Sequence, residues 1–151
     1  MADLKNRLRD DLTTAMKSRD ELRTATLRMV LSAVSAEEVS GKEARELSDD
    51  EVMGVLRREA KKRREAAEAF AGAGRAEQAA REEAEGGVLA AYLPAQLEDA
   101  DLAALVADVV TRTGASGMKD MGRVMGAVQK EVAGRAEGGR VAAEVRRQLG
   151  L

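Results

Sequence analysis

One proline stands in a chain of 151 residues, at position 94. Proline holds φ near about −65°, lacks an amide hydrogen and disfavours the α conformation at the residue before it. With that single interruption, the chain is free to be helical almost anywhere except across Tyr92-Leu93-Pro94. The rest of the composition favours that outcome. Charged residues make up 34% of the chain, the aromatics are Phe70 and Tyr92 alone, and much of the 44% apolar share is alanine. Such mixtures form helices and bury little area per interior position. No strand-length alternation of apolar and polar residues occurs. The expected fold is all-α, with an N-terminal long-helix bundle or hairpin-like unit over residues 1–94 and a small C-terminal three-helix unit over 95–151.

The apolar spacing predicts the helices. Leu4, Leu8, Leu12, Ala15 and Met16 recur at three- and four-residue steps from Asp3 to Lys17. Asp20 is placed to cap a second helix with Leu27, Val30, Leu31 and Val34 on its inner stripe, running to Gly41. Ser48 to Glu51 reads SDDE, a capping box opening a third helix that runs past Phe70 to Gly72 or Gly74, with Val52, Val55, Leu56, Ala66 and Phe70 inward. A fourth spans about Arg75 to Ala91, with a kink or frayed end expected at Gly86-Gly87. Beyond the joint, helices are expected from Asp99 to Thr113, Asp120 to Ala133 and Gly139 to Leu149.

Function classes fall away quickly. Histidine and cysteine are both absent, which removes the commonest general base, the commonest metal ligand and the thiol nucleophile. Adjacent acids at Asp10-Asp11, Glu37-Glu38, Asp49-Asp50 and Glu82-Glu83 diverge by about 100° on a helix, so they read as solvated faces rather than catalytic dyads. Gly114-Ala115-Ser116-Gly117 follows a helix and lacks the ending of a phosphate loop, so it reads as a turn. No catalytic residue, metal site or cofactor is expected. The N-terminus has no apolar run of signal or membrane-spanning type, and the cytoplasm is the expected location.

Two features stand above this background. Arg57-Arg58-Glu59-Ala60-Lys61-Lys62-Arg63-Arg64-Glu65 is a basic run on the third helix, in a chain whose 25 basic and 27 acidic residues leave a net charge of only −2. Its cations suit contact with a phosphate backbone. They equally suit a solvated helix pairing with Glu51, Glu59, Glu65 and Glu68, and on residues alone that reading leads. Gly122 and Gly126 in MGRVMGAV form a small-residue face suited to close helix packing, and Met118, Met121 and Met125 read as core filling beside Val124 and Val128.

Taken in order, VLRREAKKRREAAEAF, Glu85 to Leu97 (an E-x-x-x-L-x-x-Y-L-P-x-Q-L pattern) and GASGMKDMGRVMG resemble the YqeY family over essentially the whole chain. Two positions depart from its pattern: Glu98 replaces a usual Ser or Thr cap, so Asp99 or Asp101 is expected to cap instead, and Glu137-Gly138 replaces Asp-Gly. The family is similar to the helical and tail regions of the B subunit of the glutamine-dependent amidotransferase acting on misacylated Glu-tRNA or Asp-tRNA. The resemblance implies a non-catalytic tRNA- or RNA-binding module, linked to carbon-nitrogen ligase chemistry carried by another part. The implied contacts are Arg57, Arg58, Lys61, Lys62, Arg63 and Arg64, with Lys119 and Arg123 as secondary candidates; Tyr92, Leu93 and Pro94 form the interdomain linker. The partners it points to are tRNA or another structured RNA, or an amidotransferase or other protein. A protein-interaction adaptor docking through the helical tail is the alternative. Neither DNA nor a membrane is expected.

Overall fold

A computed structural model describes residues 3–151, and these form seven α-helices and no strand. The helices are α1 (Asp3–Lys17), α2 (Glu21–Glu38), α3 (Asp49–Gly72), α4 (Ala76–Ala90), α5 (Asp99–Thr113), α6 (Met121–Val132) and α7 (Gly138–Leu149), with a 3₁₀ turn over Met118–Asp120 before α6. Two compact units divide between Leu93 and Pro94. No described helix is long and apolar enough to cross a membrane.

The first unit packs α1 to α4 around Leu8, Leu27, Val30, Val34, Leu47, Val52, Leu56 and Leu89. Helices α2 and α3 start on side-chain caps, whereas α4 starts at Arg75 without one. The Asp20 carboxylate accepts the Arg23 amide at 3.1 Å, and Ser48 and Glu51 exchange side-chain and backbone bonds across the first turn of α3. Glu51 also takes a two-pronged pair from Arg45. The bonds from Arg45 and the Ser48 amide lower its pKa to about 2.

Several boundaries and burial patterns depart from the sequence expectation for visible reasons. Helix α2 stops at Glu38, three residues before Gly41, because the next loop folds back on its end. The Arg45 amide takes the Glu38 carbonyl at 3.0 Å, the Leu47 amide takes the Glu38 carboxylate at 3.1 Å, and Leu47 is buried beneath. Helix α4 runs unbroken through Gly86-Gly87, where the missing side chain of Gly86 faces the Arg63 Cβ on α3. On α3 the inward face near the C-terminus carries Ala67, while Ala66 and Phe70 are only partly buried.

The four acidic pairs are not simply solvated. At least one member of each has a partner: Asp11 the Tyr92 hydroxyl, Glu38 the Lys5 Nζ at 2.8 Å, Asp49 the Leu4 amide at 3.1 Å, and Glu82 the Arg63 Nε at 3.5 Å. The divergence that prevents two neighbouring acids from sharing a substrate turns Asp11, Glu38 and Glu82 inward and leaves Asp10, Glu37 and Glu83 exposed, while Asp49 and Asp50 are both exposed.

The second unit packs α5, α6 and α7 around Leu102, Val106, Val109, Val124, Val128, Val132, Val141 and Val145. Gly114 ends α5 at φ 67°, with the Ala115 amide closing on the Val110 carbonyl at 3.2 Å, an ending for which glycine suffers no steric cost. Glu98 precedes α5 without a side-chain cap, and neither Asp99 nor Asp101 supplies one. Asp99 instead receives Arg140 Nη2 at 2.8 Å from α7. Met121 and Met125 pack against this core as expected, but Met118 is 66% exposed, because the 3₁₀ turn rotates it away from the face that α6 presents inward.

Candidate nucleic-acid interface

Helix α3 buries Val52, Val55, Leu56, Glu59 and Ala67. At about 100° per residue this inner stripe leaves Arg57, Lys61 and Arg64 together on the opposite face, at the i, i+4, i+7 spacing of a single ridge. Arg58 and Lys62 stand along its flank, and all five side chains are exposed.

The sixth member of the run is elsewhere. Arg63 has a side chain only 18% exposed, wedged between α3 and α4. Its guanidinium meets Glu59 at 3.6 Å, Glu82 at 3.5 Å and Glu85 at 3.3 Å, and its Nη1 also lies 3.1 Å from Met29 Sδ on α2. A cation held by three largely buried carboxylates is a structural tie between helices, so Arg63 leaves the set of phosphate contacts. Position on the helix decides this: with Val52 at the centre of the inner face, eleven residues bring Arg63 back to almost the same direction.

The exposed members are paired as the solvated reading requires: Arg58 with Glu37 at 3.4 Å, Lys61 with Glu65 at 3.9 Å and Lys62 with Glu59 at 3.3 Å. These cations are between 60% and 64% exposed. Pairs as exposed as Arg58–Glu37 and Lys61–Glu65 contribute about 0–1 kcal/mol each, so they hold their cations weakly.

In the second unit Lys119 is exposed in the 3₁₀ turn, and Arg123 is exposed on α6 while held by Asp120 at 2.9 Å. Asp120 also accepts the Ser116 amide at 3.0 Å and so ties the glycine turn to the start of α6. Gly122 and Gly126 are exposed, and no atom lies within 4 Å of where a Cβ would sit on either. They make no packing seam within the described chain, because α6 turns Val124, Val128 and Val132 to its core and the glycines outward.

The joint is narrower than the sequence suggested. Tyr92 is a core residue of the first unit, 5% exposed, with its hydroxyl donating to Asp11 and the Arg7 guanidinium 4.7 Å above its ring. Burial and the Asp11 carboxylate push its pKa up to about 12. Leu93 packs on the same core. Leu97 is fastened to the second unit at both polar ends, its amide to the Arg135 carbonyl at 2.7 Å and its carbonyl to Arg140 Nη2 at 2.8 Å. The tether proper is Pro94, Ala95 and Gln96, all exposed. Nothing in the sequence marked Tyr92 as core, since its partner Asp11 lies 81 residues away.

A family model described as Yqey-like protein matches residues 5–149. The chain belongs to the YqeY family. The match runs from α1 to the last residue of α7 and so takes in both units. No curated protein sequence matches the chain. Among the described residues, no group of three or more Asp or Glu is arranged to hold a metal ion.

Proposed function

We propose that this YqeY-family chain is a non-catalytic RNA-binding module whose ligand is tRNA or a similarly structured RNA. The observation that carries this reading is the outer ridge of α3, where Arg57, Lys61 and Arg64 share one exposed face with Arg58 and Lys62 beside it. A ridge of this kind neutralises successive phosphates and releases their counterions without reading sequence. With no tryptophan, Tyr92 buried and Phe70 a lone half-buried ring, stacking on successive unpaired bases is disfavoured and a ligand recognised by shape is favoured. Kinship with the helical and tail regions of the tRNA-dependent amidotransferase B subunit supports tRNA as that ligand. In this reading, carbon-nitrogen ligase chemistry with glutamine as nitrogen donor belongs to another chain, and this one contributes recognition.

The test is a gel shift with total tRNA across a salt series, using the wild-type protein and a variant with Arg57, Arg58, Lys61, Lys62 and Arg64 changed to Gln. The expected result is measurable low-salt binding that weakens as salt rises, with at least about tenfold loss in the variant. Undetectable binding at low salt, or equal affinity in the variant, overturns the reading.

The open Gly122/Gly126 face favours a second reading, in which α6 docks a helix of a protein partner at short range. Gly122→Leu with Gly126→Leu is expected to abolish co-purification of a stoichiometric helical partner while leaving the fold intact by circular dichroism. Unaltered co-purification removes this alternative.

A further inference from the structure

The cations of α3 that sequence singles out are largely engaged with carboxylates, and the first unit carries others that are not. Lys17, Arg19 and Arg28 are exposed, and among the described residues no carboxylate lies within ion-pairing distance of any of them. Arg28 is in the second turn of α2, but its Nη2 reaches the Met16 sulfur at 3.7 Å and so returns to the end of α1. Three uncompensated cations therefore gather at the α1–α2 turn. Two acids belong to the same segment. The Asp20 carboxylate is committed to the Arg23 amide at 3.1 Å, and Glu21 is exposed. Arg23 itself is half-buried and acts on Tyr92.

A second observation bears on the same turn. Arg19 adopts φ 57°, in the left-handed region, where a side chain is unfavourable and glycine is not. The surrounding bonds explain why that conformation is required. The Arg19 amide closes on the Met16 carbonyl at 3.2 Å and the Asp20 amide on the Ala15 carbonyl at 2.9 Å, the paired pattern of a Schellman ending. The chain uses glycine in the corresponding place after α5 and α7, at Gly114 and Gly150, while α6 ends on a left-handed Ala133, so a side chain is tolerated there but a long charged one is found only after α1 among the described helices. After α1 it keeps an exposed, unpaired arginine in the position that glycine fills best.

We propose that the α1–α2 turn is a second phosphate-contacting surface, in which Lys17, Arg19 and Arg28 grip the sugar-phosphate backbone of the structured RNA whose main contact is the α3 ridge. The inference rests on the RNA-binding reading. Helix α2 passes α3 antiparallel, with Glu37 against Arg58 and Met29 against Arg63, so the turn lies toward the C-terminal half of α3. Both surfaces belong to the first unit, and the inference requires a folded RNA broad enough to reach each of them. The competing account is that these cations merely complement the carbonyl end of α1.

The two accounts separate by experiment on the full chain. Binding of total tRNA is followed by fluorescence anisotropy across a salt series for the wild type, a turn variant (Lys17→Gln, Arg19→Gln, Arg28→Gln) and Arg19→Gly. The turn variant is expected to lose affinity at least about fivefold at low salt, and its salt slope to fall by about two to three. Arg19→Gly is expected to melt a few degrees higher, because glycine relieves the left-handed residue, and yet to bind RNA more weakly. Higher melting with unchanged affinity, or a turn variant with wild-type affinity and slope, overturns the inference while the α3 reading stands, and leaves the patch to an acidic protein partner. No binding by the wild type removes the RNA-binding reading itself.

Discussion

Tyr92 shows how much one side chain can tie together. Its ring lies in the core, its hydroxyl bonds Asp11, and Arg7 covers its face. Tyr92→Phe keeps the ring and deletes one bond to a charged group, so a loss of about 1–2 kcal/mol is expected in urea unfolding. The same residue sets an alkaline limit. Its folded pKa of about 12 lies above the unfolded value of about 10, so the native state holds the proton longer. Its contribution is therefore complete below about pH 10 and is lost as pH rises toward 12, and the Phe variant should lack this decline. Arg63 predicts a different failure. Arg63→Met leaves Glu59, Glu82 and Glu85 facing one another with no central cation, which is expected to cost about 3 kcal/mol or more in thermal unfolding. Neither role was legible in the sequence. Tyr92 read as linker because it adjoins Pro94, and Arg63 read as part of a charge run because its neighbours are cations. Only long-range partners reveal what each does.

At the scale of the element, local chemistry was far more legible. The SDDE box, the Asp20 cap and the glycine end of α5 all depend on residues within a few positions of one another, and the structure contains each. Ser48→Ala is expected to destabilise the first unit by about 1 kcal/mol through the freed amide of α3. Glu51 adds a pH dependence at that helix start. Its folded pKa of about 2 lies below the ordinary carboxylate value, so its contribution is present above about pH 4.5 and lost as pH falls toward 2. A stability profile measured down to pH 2 should fall less steeply for Glu51→Gln than for the wild type. Where an element answered to distant chain, reading failed: α2 ends early because Arg45 and Leu47 claim its last residue, and the Glu98 helix start has no cap that sequence could name.

For the molecule as a whole, the all-helical architecture follows from one proline, a low aromatic content and persistent three- and four-residue spacing. The two cores share no residue. That separation predicts separable unfolding. Tyr92 is the only tyrosine, tryptophan is absent, and Tyr92 belongs to the first core, so its fluorescence reports on one unit while far-ultraviolet circular dichroism reports on both. Val128→Ala, at a fully buried position of the second core, is expected to cost about 2 kcal/mol there. It should move part of the dichroism transition and leave the fluorescence transition in place; a matching shift in both signals refutes separable cores. The candidate interface was half legible, because the basic run is visible as composition but which of its members face outward depends on where α3 sets its inner stripe.

The closing of hydrogen bonds on either side of Pro94, Ala95 and Gln96 has a consequence for descent. Leu97 is satisfied by Arg135 and Arg140 within its own unit, and Tyr92 by Asp11 within the other. A recombination point placed in those three residues therefore leaves the bonds of Leu97 and of Tyr92 intact, each within its own piece. Genetic exchange that cuts here is expected to graft the three-helix unit onto a different body with its fold kept, which circular dichroism of residues 96–151 expressed alone checks by showing a cooperative helical transition.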